Sequence, residues 1–182
     1  MSEPLDLHRL GDGSTHQLTR NAGQFMAEAA SICLEVNEHR QGCQFDVTGF
    51  RPEAYLLFWP PADGTTRRTH KSGQNAMEHG ACGVAILLAS QLTEYQVVEQ
   101  SRKRGGLEGG FDYWLGKKVG DTEEFEFKAR LEVSGILSGS KSKVEARVKQ
   151  KLTQTDQSDK MKVPAFVVVV EFGAPMACLV KK

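Results

Sequence analysis

The sequence predicts a single mixed α/β (α+β) domain, in which helices cover a mixed β-sheet. Three observations lead to this prediction. The 182 residues suit one domain. Hydrophobic residues make up 40% and charged residues 25%, as in ordinary globular proteins. Hydrophobic patterns along residues 74–172 follow the order helix, strand, strand, strand, helix, strand.

Residues 1–73 are predicted to extend this core with a helix and a β-hairpin. Apolar residues recur at helical spacing between 21 and 39, which predicts an amphipathic helix. Two strand-like segments, 44–48 and 54–59, are separated by turn residues, which predicts the hairpin. The polar, basic segment 62–74 is interpreted as a linker.

Residues 74–172 are predicted to form the core, and residues 173–182 a tail. The second half of the first core helix is apolar on all sides, so we expect it to be buried. The Val167–Val170 run is expected to be an interior strand. The predicted core elements are a helix over 74–92, strands over 95–101, 111–115 and 124–133, a helix over 141–153 and a strand over 164–172.

The balance of charges and the cysteine pattern indicate the cellular compartment and exclude some classes of partner. The 23 basic and 23 acidic residues balance, so no overall field attracts nucleic acid or a membrane. The four cysteines are scattered without a CxxC pair, as is typical of reduced thiols. No apolar run approaches the ~20 residues of a membrane span, and no secretory signal is recognisable. We therefore expect a cytoplasmic protein without a membrane partner.

Two acidic residues stand on neighbouring strands of the predicted core. Asp112 follows a glycine-rich turn in the second strand, and Glu132 lies near the end of the third. Carboxylates that meet across a hairpin can hold a divalent cation, which prefers oxygen ligands. Glu78, in the buried helix, is a third carboxylate. A structural alternative remains open, in which Asp112 bonds to a turn and Glu132 pairs with an arginine, either Arg130 or Arg147.

This element order, with the acids in GFDYWL and ARLEVSG, resembles the PD-(D/E)xK nuclease superfamily over residues 74–172. The resemblance implies a restriction-endonuclease-like αβββαβ core. It also implies that Asp112 and Glu132 bind Mg²⁺ or Mn²⁺ and that Glu78 completes the metal shell. The expected chemistry is metal-assisted attack of water on a phosphodiester.

The resemblance departs at one position. The superfamily carries a lysine two residues after the second acid, and here that position is Ser134. Other cations must then stabilise the developing charge, and the sequence offers Lys128, Arg130 and Lys143. With the two acids, Lys128 and Arg130 form the predicted catalytic set.

Two basic clusters flank the predicted acids. Basic residues concentrated in a neutral protein suit phosphate groups, so both clusters are predicted to bind nucleic acid. They comprise Arg102, Lys103 and Arg104 before the glycine turn, and Lys143, Arg147 and Lys151 on the following helix.

The sequence thus predicts a metal-dependent nuclease, or a protein derived from one, that acts on nucleic acid. The alternative is a non-catalytic interaction module that uses a degenerate nuclease-like fold. Such a module would bind a protein partner, as a subunit of a larger complex, or a second copy of the chain. The neutral net charge and Ser134 favour the module, whereas the placement of the acids and the basic helix favour the enzyme.

Overall fold

A computed structural model describes residues 4–101 and 109–182, and within them the helices accompany one eight-stranded mixed sheet. The predicted mixed α/β class is therefore confirmed. No helix in these two ranges is long and apolar enough to cross a bilayer. The helices are α1 (Arg9–Asp12), α2 (Arg20–Val36), α3 (Gly64–Thr69), α4 (Gly73–Leu92), α5 (Lys141–Thr155) and the 3₁₀ helix η1 (Asp156–Met161). The strands are β1 (Leu5–Asp6), β2 (Cys43–Gly49), β3 (Glu53–Phe58), β4 (Gln96–Gln100), β5 (Tyr113–Lys118), β6 (Phe125–Ile136), β7 (Ala165–Glu171) and β8 (Met176–Lys181).

The strands lie in the order β1-β3-β2-β8-β7-β6-β5-β4. The β4–β5–β6 meander is antiparallel, and β7 pairs parallel to β6. The predicted hairpin of β2 and β3 is also present. Strand β8 lies between β7 and β2, so it joins the N-terminal hairpin to the rest of the sheet.

The sheet is covered on both faces, because side chains of its central strand β7 alternate between two apolar clusters. Phe166, Val168 and Val170 belong to the larger cluster, which includes α2 and α4. Val167 and Val169 pack with α5 on the opposite face. All residues of β7 are buried, which confirms the predicted interior strand.

Residues 173–182, expected to be a tail, form strand β8 inside the sheet. The local reason is the alternation of its side chains. Ala177 and Leu179 are buried in the larger cluster, while Cys178 and Val180 pack against the cluster under α5. A strand with two apolar faces needs cover on both sides, which the interior of this sheet provides.

Two smaller differences concern the linker and the end of β6. The expected linker 62–74 contains α3, whose first turn is capped by Asp63 accepting a hydrogen bond from Thr66 N at 2.7 Å. Strand β6 was expected to end before Gly135, but it continues to Ile136 because β7 pairs with it along this length.

Candidate active site

The acids Asp112 and Glu132 meet at the point where β5 begins beside β6. Tyr113 pairs with Leu131, so continuing the antiparallel register places Asp112 opposite Glu132. Asp112 is also tied to β6 through its own atoms. Its backbone N donates to Leu131 O at 2.8 Å, and its Oδ2 accepts from Val133 N at 2.9 Å. Asp112 thereby extends the hydrogen bonding to β6 ahead of the start of β5.

Glu132 points away from the larger core and lies beneath α5. Its neighbours Leu131 and Val133 are buried in the larger cluster, so strand alternation turns Glu132 to the opposite face. The Glu132 residue is only 1% exposed. Its Oε1 accepts from Lys151 Nζ of α5 at 2.5 Å, and its Oε2 is buried with no hydrogen-bond partner among the described residues.

The environment of Glu132 disfavours its charge. Burial first, and then the neighbouring Asp112 carboxylate, raise the pKa of Glu132 to about 7, although Lys151 acts in the opposite direction. A hydrogen bond between the two carboxyl groups needs a proton on one of them. Near neutral pH, the pair is therefore positioned to share one proton or to exchange it for another cation.

Two cavities border this pair. The larger, of about 440 Å³, lies between α4 and α5 at the end of the sheet. The smaller, of about 200 Å³, is lined by both acids. Asp112 and Lys151 line both cavities. Glu78 of α4 and Arg147 of α5 also line the larger one, so two carboxylates, a guanidinium and an ammonium group border it, together with the imidazole of His79.

A glycine allows α4 to approach this end of β6. A Cβ atom at Gly135 would lie 2.6 Å from the backbone carbonyl oxygen of Met77, a distance that real side chains do not tolerate. Glu78 follows Met77 and lines the cavity as an exposed residue, where its Oε1 accepts from Gln74 Nε2 at 3.2 Å. The close contact at Gly135 therefore places Glu78 near the end of the sheet where Asp112 lies.

Helix α5 delivers two cations to the site. Val144 and Val148 pack against the sheet, and this fixes the side of α5 that faces β6. Arg147 donates from Nη1 to Ser134 Oγ at 2.8 Å, so a guanidinium contacts the position where the resemblance expects a lysine. Lys151, one helical turn further, contacts Glu132 and also Gln154 Oε1 at 3.1 Å.

The other predicted cations lie elsewhere. Arg130 is 3% exposed and donates to the carbonyl oxygens of Thr155 and Val163, to Ser158 Oγ and to the Asp159 carboxylate. It therefore holds η1 against the sheet. Lys128 pairs with Glu126 at 2.5 Å, and Lys143 Nζ donates to Ser138 O at 3.3 Å. None of these three cations is among the described residues that line the two cavities.

Asp112, Glu132 and Lys151 therefore lie together, whereas Arg147 and Glu78 share only the larger cavity with Asp112 and Lys151. Glu78, the predicted third metal ligand, does not form one group with the two acids. The sequence placed Lys151 in a nucleic-acid-binding stripe and did not identify it as the partner of Glu132. A sequence signal for this contact was present: Arg147 and Lys151 are four residues apart and lie beside the apolar stripe of α5, which faces the sheet. Arg102, Lys103 and Arg104 lie outside the described residues.

Within residues 4–101 and 109–182, no group of three or more His, Cys, Asp or Glu side chains is arranged to hold a metal ion. No family model, curated protein or solved structure matches the chain. What the protein does must therefore follow from the chemistry of the site itself.

Proposed function

We propose that the protein is a metal-dependent nuclease with a PD-(D/E)xK-like core, acting through the site of Asp112 and Glu132. One observation carries this proposal. A buried carboxylate with an unpartnered oxygen faces a second carboxylate, at the edge of a cavity that also holds basic side chains. Burying like charges together is costly, and such arrangements are concentrated at functional sites.

The topology supports the proposal. Helix α4, the β4–β5–β6 meander, α5 and the parallel strand β7 follow each other along the chain and in the sheet. Helices α4 and α5 cover opposite faces of these strands. This order agrees with what the resemblance to PD-(D/E)xK nucleases implies, and it supports the proposal that Asp112 and Glu132 are the acids of such a core.

The donor set fits a divalent cation. Mg²⁺ and Mn²⁺ prefer oxygen ligands, and the buried Oε2 of Glu132 needs a positive partner. Asp112 and Glu132 would hold the ion, with Glu78 available from the opposite side of the larger cavity. When bound, such an ion lowers the pKa of a coordinated water and stabilises charge on a phosphoryl oxygen.

The basic residues of α5 supply what Ser134 cannot. Lys151 places an ammonium group beside Glu132, where it stabilises negative charge that develops on the phosphate during the reaction. Arg147 offers a planar set of donors suited to phosphate oxygens, and its contact with Ser134 orients it. In this proposal, Lys151 takes the role of the superfamily lysine from a different element.

One observation favours a second candidate, the non-catalytic interaction module. The Lys151 ammonium contacts Glu132 Oε1 at 2.5 Å, so a side chain already provides positive charge beside the acids. In a degenerate site, this ion pair replaces the metal and the fold serves binding alone. The two candidates predict different effects of a divalent ion on activity, and different effects of replacing Lys151.

A cleavage assay separates them. Wild type should cleave labelled DNA or RNA with Mg²⁺ or Mn²⁺ but not with EDTA. Lys151→Ala should lower kcat by roughly 100-fold or more, because it removes a group that acts on the transition state. Lys149→Ala, on the same helix but exposed and outside both cavities, is the matched control and should retain activity. Absence of metal-dependent cleavage of every single- and double-stranded substrate would establish the second candidate instead.

A further inference from the structure

An aromatic row leads from the acid pair to the protein surface. Phe111 lines the smaller cavity together with Asp112 and Glu132. The rings of Phe111 and Trp114 are in T-shaped contact, with their centroids 4.9 Å apart. Trp114 in turn stacks on Phe127, with centroids 5.0 Å apart and planes inclined by 11°. The row ends in solvent, because Phe127 is 41% exposed.

The row lies on the same face of the sheet as the acids. Asp112 and Trp114 are two residues apart on extended backbone, which spaces them by roughly 7 Å on one face. Helix α5 packs against β6, β7 and β8, so Trp114 in β5 lies beside the area that it covers. The cavity and the aromatic row are therefore continuous.

Two features of the row are unusual for packing alone. The exposed ring of Phe127 places an apolar face in water, which has a cost that a smaller or polar residue would avoid. The indole Nε1 of Trp114 is buried and has no hydrogen-bond acceptor within the described part of the chain. The exposed ring face of Phe127 suits a flat ligand, and the buried ring of Trp114 supports Phe127 from the other side.

We propose that Phe127, backed by Trp114, forms a stacking platform for an unpaired nucleobase of a strand whose phosphate lies at the acid pair. A base inside a duplex already stacks on its neighbours, so the platform selects single-stranded nucleic acid, whether DNA or RNA. This inference rests on the proposed nuclease function, which it deepens by naming the strand form of the substrate.

Binding measured without metal tests the platform separately from catalysis. The probes are fluorescently labelled oligothymidylate, oligouridylate and the matching DNA duplex, each with full-length protein in EDTA. We expect both single strands to bind more tightly than the duplex. Phe127→Leu should weaken single-strand binding by roughly tenfold, the effect of losing one aromatic stack. Phe127→Tyr keeps the ring and should bind like wild type.

Leu56→Ala is the control, since Leu56 is an exposed apolar residue on β3 towards the other edge of the sheet. It should leave binding unchanged. Equal affinity of wild type and Phe127→Leu, or duplex binding as tight as single-strand binding, overturns the platform even if cleavage occurs. Binding that depends on Phe127 in a protein without metal-dependent cleavage supports the platform and overturns the nuclease.

Discussion

Replacing Asp112 with asparagine removes one charge from the pair of acids and leaves the shape of the side chain nearly unchanged. The amide oxygen can keep the hydrogen bond from Val133 N, which is 2.9 Å long in the wild type. The amide nitrogen can donate to the unpartnered Oε2 of Glu132. Without metal, the variant therefore loses a like-charge repulsion and gains a hydrogen bond.

The size of the effect follows from the cost of the unpartnered oxygen. A buried acceptor without a donor costs about 1–3 kcal/mol, so the free energy of unfolding of Asp112→Asn should rise by about this amount at pH 8. For a chain of this size, that raises Tm by roughly 2–12 °C. At pH 5 the gain should shrink, because Glu132 is then protonated in the wild type and can donate to Asp112 itself.

Metal acts differently on the two proteins. Mn²⁺ at 100 times its dissociation constant stabilises a protein that binds it only when folded by about 2.7 kcal/mol. Wild type should show this rise, and Asp112→Asn should not. Thermal melts of both proteins at pH 5 and pH 8, with and without Mn²⁺, measure all of these quantities.

Asp121→Asn is the matched control, because Asp121 is exposed in the turn between β5 and β6 and its substitution should have no effect. Strong destabilisation by Asp112→Asn with no Mn²⁺ effect in wild type would contradict a metal site at Asp112. That pattern would mean that Asp112 only holds the start of β5, as the structural alternative has it.

Three further predictions concern pH, η1 and α4. The pKa of Glu132 is raised to about 7, so the folded protein holds a proton there that the unfolded chain releases at lower pH. The metal-free protein should therefore lose stability as pH rises from about 4.5 to 7, by up to about 1.4 kcal/mol per pH unit. Urea unfolding at several pH values should show this slope in wild type and not in Glu132→Gln. Arg130→Leu should lower the free energy of unfolding by about 3 kcal/mol, because the carbonyl oxygens of Thr155 and Val163 lose their donor. An unchanged urea midpoint would show that Arg130 does not hold η1 against the sheet. Gly135→Ala should lower the free energy of unfolding by about 1–3 kcal/mol and reduce cleavage, because the added Cβ atom displaces α4 at Met77. A variant that melts and cleaves like wild type would show that the space at Gly135 can hold a methyl group.

Much of the fold was predictable because its signals are local. Helices α2, α4 and α5 and the strands of the meander follow hydrophobic periodicity, and their capping residues stand in the sequence. Strand β8 was not predicted, although its side chains alternate. Its place depends on pairing with β2, about 130 residues earlier in the chain, and local patterns do not specify such pairing.

The same difference between local and long-range signals applies to the candidate site. Adjacent strands of a meander bring Asp112 and Glu132 together, so the sequence alone suggested their encounter. The identity of the cation that contacts Glu132 depends on how α5 is rotated and positioned on the sheet. Val144 and Val148 pack against β7 and turn the stripe of Lys143, Arg147 and Lys151 towards β6. The position along the helix then places Lys151 beside Glu132, while Lys143, two turns earlier, stays outside the cavities.

A crystal structure of the protein with Mn²⁺ and a short oligonucleotide, with data collected at the manganese absorption edge, would locate both the metal and the phosphate. We expect an anomalous peak held by Asp112 and the Oε2 atom of Glu132, with a phosphate of the oligonucleotide beside Lys151. An ordered site without manganese at the acid pair, in which Lys151 Nζ keeps its 2.5 Å contact with Glu132 and no phosphate approaches, would contradict this expectation.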